Sequence, residues 1–139
     1  MRLIKSRAQQ ISKCVGEIIK REHPGARNIW RFDQEYAAPS LEEFNKIIEK
    51  VEPITIQFQE ELFDCEDYAL VMSAFVRLKA APQFPKSISF GEVTTKNTLT
   101  GEVHTLNILI TEDEEMLYFE PQGKVFVDGQ NYEPFFVRI

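Results

Sequence analysis

The stretch that decides the reading of this chain is Phe63–Val76, FDCEDYALVMSAFV. Asp64 is placed to cap a helix, its carboxylate accepting from a first-turn backbone N–H that has no partner within the helix. Behind it Cys65, Tyr68, Ala69, Met72, Phe75 and Val76 recur at spacings of three and four and fall on one helical face. That stripe predicts a helix packed on a sheet, with Met72 and Phe75 in the core. Cys65 stands at its first turn, where the helix dipole favours an anion such as a thiolate. Asp64, Glu66 and Asp67 oppose that effect, and a free cysteine also packs well as a small apolar residue.

Outward from this helix, the N-terminal side reads as helical. Ile4, Ala8, Ile11, Val15 and Ile18 give an amphipathic helix from Leu3 to about Glu22, with Cys14 on its apolar side. His23-Pro24-Gly25 ends it, and His23 is expected on a solvated surface. The segment NIWRFDQEYAAPS reads as a linker whose Trp30, Phe32 and Tyr36 pin it to the core. Ser40 and Glu43 form a capping box for a second helix with Leu41, Phe44, Ile47, Ile48 and Val51 buried, stopped near Pro53. Ile54–Phe58 alternates and suits a short strand or an extended approach to the Cys65 helix.

On the C-terminal side the period changes after Pro85. Lys86–Thr94 and Glu102–Ile110 read as strands joined through Asn97 and Gly101, followed by Met116–Glu120, Lys124–Val127 and Phe135–Ile139. Helices first and antiparallel strands afterwards predict an α+β fold, N-terminal helices with the Cys-bearing helix on an antiparallel sheet, in one domain over 1–139.

The chain has 139 residues, 43% hydrophobic and 27% charged, enough to bury a core without disulfides or metal. A net charge of −6 argues against nucleic acid and anionic membranes as partners. Two cysteines form neither a disulfide framework nor a CxxC motif. Without a long apolar run or a signal-peptide core, the expected location is cytoplasmic.

Three reactive groups stand in the order Cys65, His104, Glu120. If the sheet packs on the Cys65 helix, the strand row that begins with His104 would face the thiol, and Glu120 on the next strand would pair with His104. A cysteine nucleophile needs such a base, and the base needs a group to fix its tautomer.

The blocks DCEDYALVMSAFVRL, GEVHTLNILI and LYFEPQ, from Asp64 to Gln122, resemble the core of the transglutaminase-like, papain-like cysteine peptidases. The likeness spans roughly residues 53–122. It implies Cys65 as nucleophile, His104 as base and Glu120, where the family usually has Asp, as orienting acid. Gln59, six residues before Cys65, and Gln122 are the implied substrate or oxyanion contacts, with Gln57 and a backbone N–H as competitors for that role. The implied activity is hydrolysis or acyl transfer at an amide, isopeptide or thioester bond of a peptide or protein substrate, with no cofactor and no metal. A catalytically silent binding or inhibitory module of the same fold, phage- or plasmid-encoded, is the alternative. Convergence of Asp64, Cys65, Asp67, His104 and Glu120 on a metal ranks last, because their spacing matches no standard site.

Overall fold

The computed structural model describes residues 15–26, 28–33 and 35–139. Helix α1 covers residues 15–22, and the expected helical turns before Val15, with Cys14, lie outside the described residues. Strand β1 (Asn28–Trp30) follows, then α2 (Leu41–Glu49) and α3 (Cys65–Ala80). The remaining strands are β2 (Phe90–Asn97), β3 (Val103–Ile110), β4 (Met116–Glu120), β5 (Val125–Val127) and β6 (Tyr132–Arg138). They form one six-stranded sheet in the order β1-β6-β2-β3-β4-β5. Among the described residues no helix is long and apolar enough to cross a membrane.

Strands β2 to β5 run as an antiparallel meander, and β6 returns to the free side of β2. The expected all-antiparallel sheet is corrected at one edge, where β1 pairs with β6 in parallel, Asn28 opposite Phe136 and Trp30 opposite Arg138. The segment read as a linker therefore supplies a strand. Its three residues are too short for periodicity to show. Of its aromatics, Tyr36 alone is fully buried, donating from its hydroxyl to the Ile139 carbonyl at 2.6 Å; Trp30 and Phe32 are exposed.

Local chemistry explains most helix and hairpin ends. Ser40 and Glu43 close the expected capping box, Glu43 N–H to Ser40 Oγ at 3.1 Å and Ser40 N–H to the Glu43 carboxylate at 2.9 Å. The β2–β3 turn uses Asn97, whose Oδ1 accepts from Leu99 and Thr100 N–H, and Gly101 takes the left-handed φ of +75°. Ile54–Phe58 forms no strand; only Gln59 and Phe63 bridge there.

Strand β3 is buried on both faces, and its alternation separates two cores. Leu106, Ile108 and Ile110 join Val93, Tyr118 and Val137 against Val15, Ile18 and Ile19 of α1. Leu109, with Phe90 and Phe119, packs instead on Phe44, Ile47 and Ile48 of α2 and on Met72, Val76 and Ala80 of α3. Phe44 sits among Phe90, Phe119 and Phe126 at ring-centroid distances of 5.2, 5.7 and 5.6 Å.

The buried stripe of α3 is Tyr68, Ala69, Met72, Ser73, Val76 and Ala80, so Phe75 does not belong to it and is 37% exposed. The stripe is narrow because a polar contact, described below, holds the Ala69–Ser73 side of the helix to the sheet, which turns Phe75 to the flank. His23 is likewise not a free surface group: its Nε2 meets the Tyr118 hydroxyl at 2.5 Å. Burial lowers the His23 pKa, against the opposing pull of Glu22 and Glu133, and burial with Glu22 raises that of Tyr118.

Two outcomes follow. In urea melts Phe44→Ala should cost about 3–5 kcal/mol, whereas Phe75→Ala should stay below about 1 kcal/mol. Since folding lowers the His23 pKa, the neutral ring is the form that fits. Its contribution is complete above the unfolded value of about 6.5 and is lost as pH falls below that. The melting temperature should therefore drop less between about pH 7 and about pH 5 in His23→Gln than in the parent; equal drops would show that His23 is not coupled to folding.

Candidate functional site

The head of α3 is fixed by carboxylates. Asp64 accepts from Glu66 N–H at 3.2 Å, and Asp67 accepts from Asp64 N–H at 3.1 Å, a reciprocal capping box. Cys65, a free thiol, is half-buried in the first turn. Tyr68 anchors the preceding loop, donating from its hydroxyl to the Ile56 carbonyl and meeting the Phe63 ring edge-on at 4.8 Å.

Below this turn Asn107 ties helix to sheet. Its amide nitrogen lies 2.9 Å from the Ala69 carbonyl, 3.0 Å from the Gly91 carbonyl and 3.1 Å from Ser73 Oγ. Asn107 therefore faces α3, and so does its row, Thr105 and Leu109 included. His104 belongs to the opposite row, with Leu106, Ile108 and Ile110. This corrects the expectation that the row beginning with His104 faces the Cys65 helix.

His104 and Glu120 do come together, Nε2 to Oε2 at 2.8 Å, both side chains about three-quarters buried. Glu120 Oε1 also accepts from Gln122 N–H at 3.2 Å. Among the described residues no hydrogen bond joins Cys65 to His104. Gln59 and Gln122 are both exposed, Gln59 in a tight turn whose backbone bonds with Phe63. No group of three or more histidine, cysteine or acidic side chains among the described residues is arranged to hold a metal ion.

Beside the head of α3 a cavity of about 480 Å³ opens over β1, β6 and β2. On its floor Arg138 donates from Nε at 3.1 Å and from Nη2 to the same oxygen of Glu92, whose side chain is only 7% exposed against 35% for Arg138. Thr94 and Thr105 hydroxyls, 3.1 Å apart, lie alongside, and Phe135 and Phe136 supply aromatic wall. Glu66 and Asn28 stand at the rim. Sequence reading passed over these residues. The available signal was an acidic residue inside the apolar strand FGEVTT and a basic one inside FVRI, opposite charges that a sheet can pair face to face.

The family model described as Agglutinin C-terminal matches residues 36–126, well over half of the chain, and the chain belongs to that family. No curated protein matches the sequence. Among solved structures, a Polyporus squamosus lectin bound to the human-type influenza-binding epitope Neu5Acα2-6Galβ1-4GlcNAc superimposes with a TM-score of 0.75 at 16% identity, over 92% of this chain and 48% of that one. A structure described as the PSL1a–E64 complex gives 0.70 at 18% identity, over 90% and 48%. The chain thus spans about half the length of the chains it matches. These findings overturn the transglutaminase-like, papain-like assignment of family and fold, and with it the expected cysteine hydrolase or acyl transferase. The fold is the six-stranded mixed sheet with flanking helices shared with the lectin chain.

The tie at Asn107 gives a direct test. Asn107→Ala leaves the Ala69 and Gly91 carbonyls without its donor, and a buried group left unsatisfied costs about 1–3 kcal/mol. A denaturant melt of this variant should show that loss; an unchanged midpoint would mean the amide does not hold α3 to the sheet.

Proposed function

We propose that this chain is a carbohydrate-contacting module of an agglutinin-type protein, with its ligand seated in the cavity beside the head of α3. The observation that carries the reading is the composition of that cavity: a fixed Glu92–Arg138 pair, two threonine hydroxyls and exposed aromatic wall in one concave site. A sugar offers hydroxyls that need directional donors and acceptors, and an apolar C–H face that packs on an aromatic ring. Glu92 accepts Arg138 through one oxygen only, which leaves the other to accept from a hydroxyl. Family membership and the glycan held by the Polyporus squamosus lectin support the same class of ligand. The peptide or protein partner expected from the sequence is replaced by a carbohydrate.

Cys65 enters this proposal as a rim group, since it precedes Glu66, which lines the cavity, whereas His104 and Glu120 pair on the opposite face of the sheet and are proposed to brace β3 against β4 there. Gln59 and Gln122 are proposed as outer polar contacts. The whole of 1–139 is taken as one unit, because a single sheet carries both cores.

Titration with Neu5Acα2-6Galβ1-4GlcNAc, followed through backbone amide signals, should shift Thr94, Thr105 and Phe136. Phe135→Ala, at an exposed position, should weaken binding about tenfold, roughly 1.4 kcal/mol, at an unchanged melting temperature. A panel of neutral and acidic glycans that leaves those signals unmoved would refute the reading.

A further inference from the structure

The opposite end of α3 carries a second cavity, of about 570 Å³, between the last turns of the helix and the segment 84–88 that leads into β2. Most of its wall is apolar: Ala74, Leu78, Ala81, Phe84, Pro85 and Ile88. Within it lies Arg77, a partly buried guanidinium that makes no ion pair among the described residues. Nη2 donates to the Phe90 carbonyl at 3.2 Å, and Nε is buried with no acceptor among the described residues. The other cation at the rim, Lys86, is already engaged with Glu35 at 2.8 Å. A guanidinium carries five N–H donors, and among the described residues only one of them meets a protein acceptor. Charges drawn out of water are ordinarily paired, because desolvation without a counter-charge is costly. The arrangement is therefore a cation with spare donors beside an open apolar groove.

From this we infer that the cavity at the C-terminal end of α3 binds a small aliphatic carboxylate, its head on Arg77 and its chain along Leu78, Phe84 and Ile88. The volume falls within the range of about 300–1,000 Å³ typical of small-molecule sites. The anion supplies what Arg77 lacks, and a carboxylate fits the planar donor fork better than a point charge does. The site is separate from the carbohydrate cavity, which lies at the other end of the same helix, so either can fail without the other.

Decanoate and decanol, identical in chain and different in head group, separate the charge from the apolar part. Isothermal titration of the full chain should show decanoate binding at least about tenfold tighter than decanol, a difference of roughly 1.4 kcal/mol. Arg77→Met, which keeps the stem length, should bring the two within about twofold of each other. Ala81→Trp, at an exposed wall position, should abolish binding of both, and it decides the location even if Arg77→Met fails to fold. Equal affinity for the two probes overturns the inference. So does an absence of decanoate binding, or binding that Ala81→Trp leaves unchanged.

Discussion

A buried amide holds the two halves of this molecule in register. Asn107 is fully inaccessible, lies near the middle of β3, one of the two central strands, and bonds at once to the backbone of α3 and to the backbone of β2. Its amide nitrogen finds acceptors on both sides while its Oδ1 is buried without a partner among the described residues, so the donor half of the amide sets the height of the helix on the sheet. Its partner Gly91 adds a steric condition. A Cβ there would lie 2.2 Å from the Arg138 carbonyl oxygen, so the end of β6 can approach β2 only because that side chain is missing. That approach sets Arg138 against Glu92. The floor of the polar cavity is thus set at the same glycine whose carbonyl accepts from Asn107.

The two ends of α3 then acquire different chemistry for simple reasons. At the N-terminal end, backbone donors are capped by Asp64 and Asp67, and the neighbouring sheet surface is polar and aromatic. At the C-terminal end, chain direction reverses through Pro82 and Pro85, and apolar residues line the space left between helix and loop. Part of the acidity of the chain is structural in this sense. Carboxylates cap α2 and α3, hold His104 and fix Arg138. A net charge of −6 therefore says little about the ligand.

The block DCEDYA shows how a short stretch can be read correctly for structure and incorrectly for chemistry. Asp64 and Asp67 have a complete local explanation as a capping box, and Tyr68 as the anchor of the preceding loop. None of these roles needs a reactive thiol. The pairing of His104 with Glu120 was also legible, because neighbouring antiparallel strands bring such residues together. The face on which the pair stands was not. It depends on which row of β3 meets α3, and both rows are apolar enough to be buried.

Local rules thus settled within this sequence the bounds of α2 and α3, their caps, the Asn97–Gly101 turn and the β2–β5 meander, because each rests on residues within a few positions of one another or on a plain two-residue period. Tertiary structure alone decided the parallel pairing of β1 with β6, the outward turn of Phe75, the row that carries His104, and the meeting of Glu92 with Arg138. Each of these joins residues distant in sequence through a contact whose partner no local pattern names. Asn28 finds Phe136 across more than a hundred residues, and nothing in NIW distinguishes a strand from a loop until β6 offers it an edge.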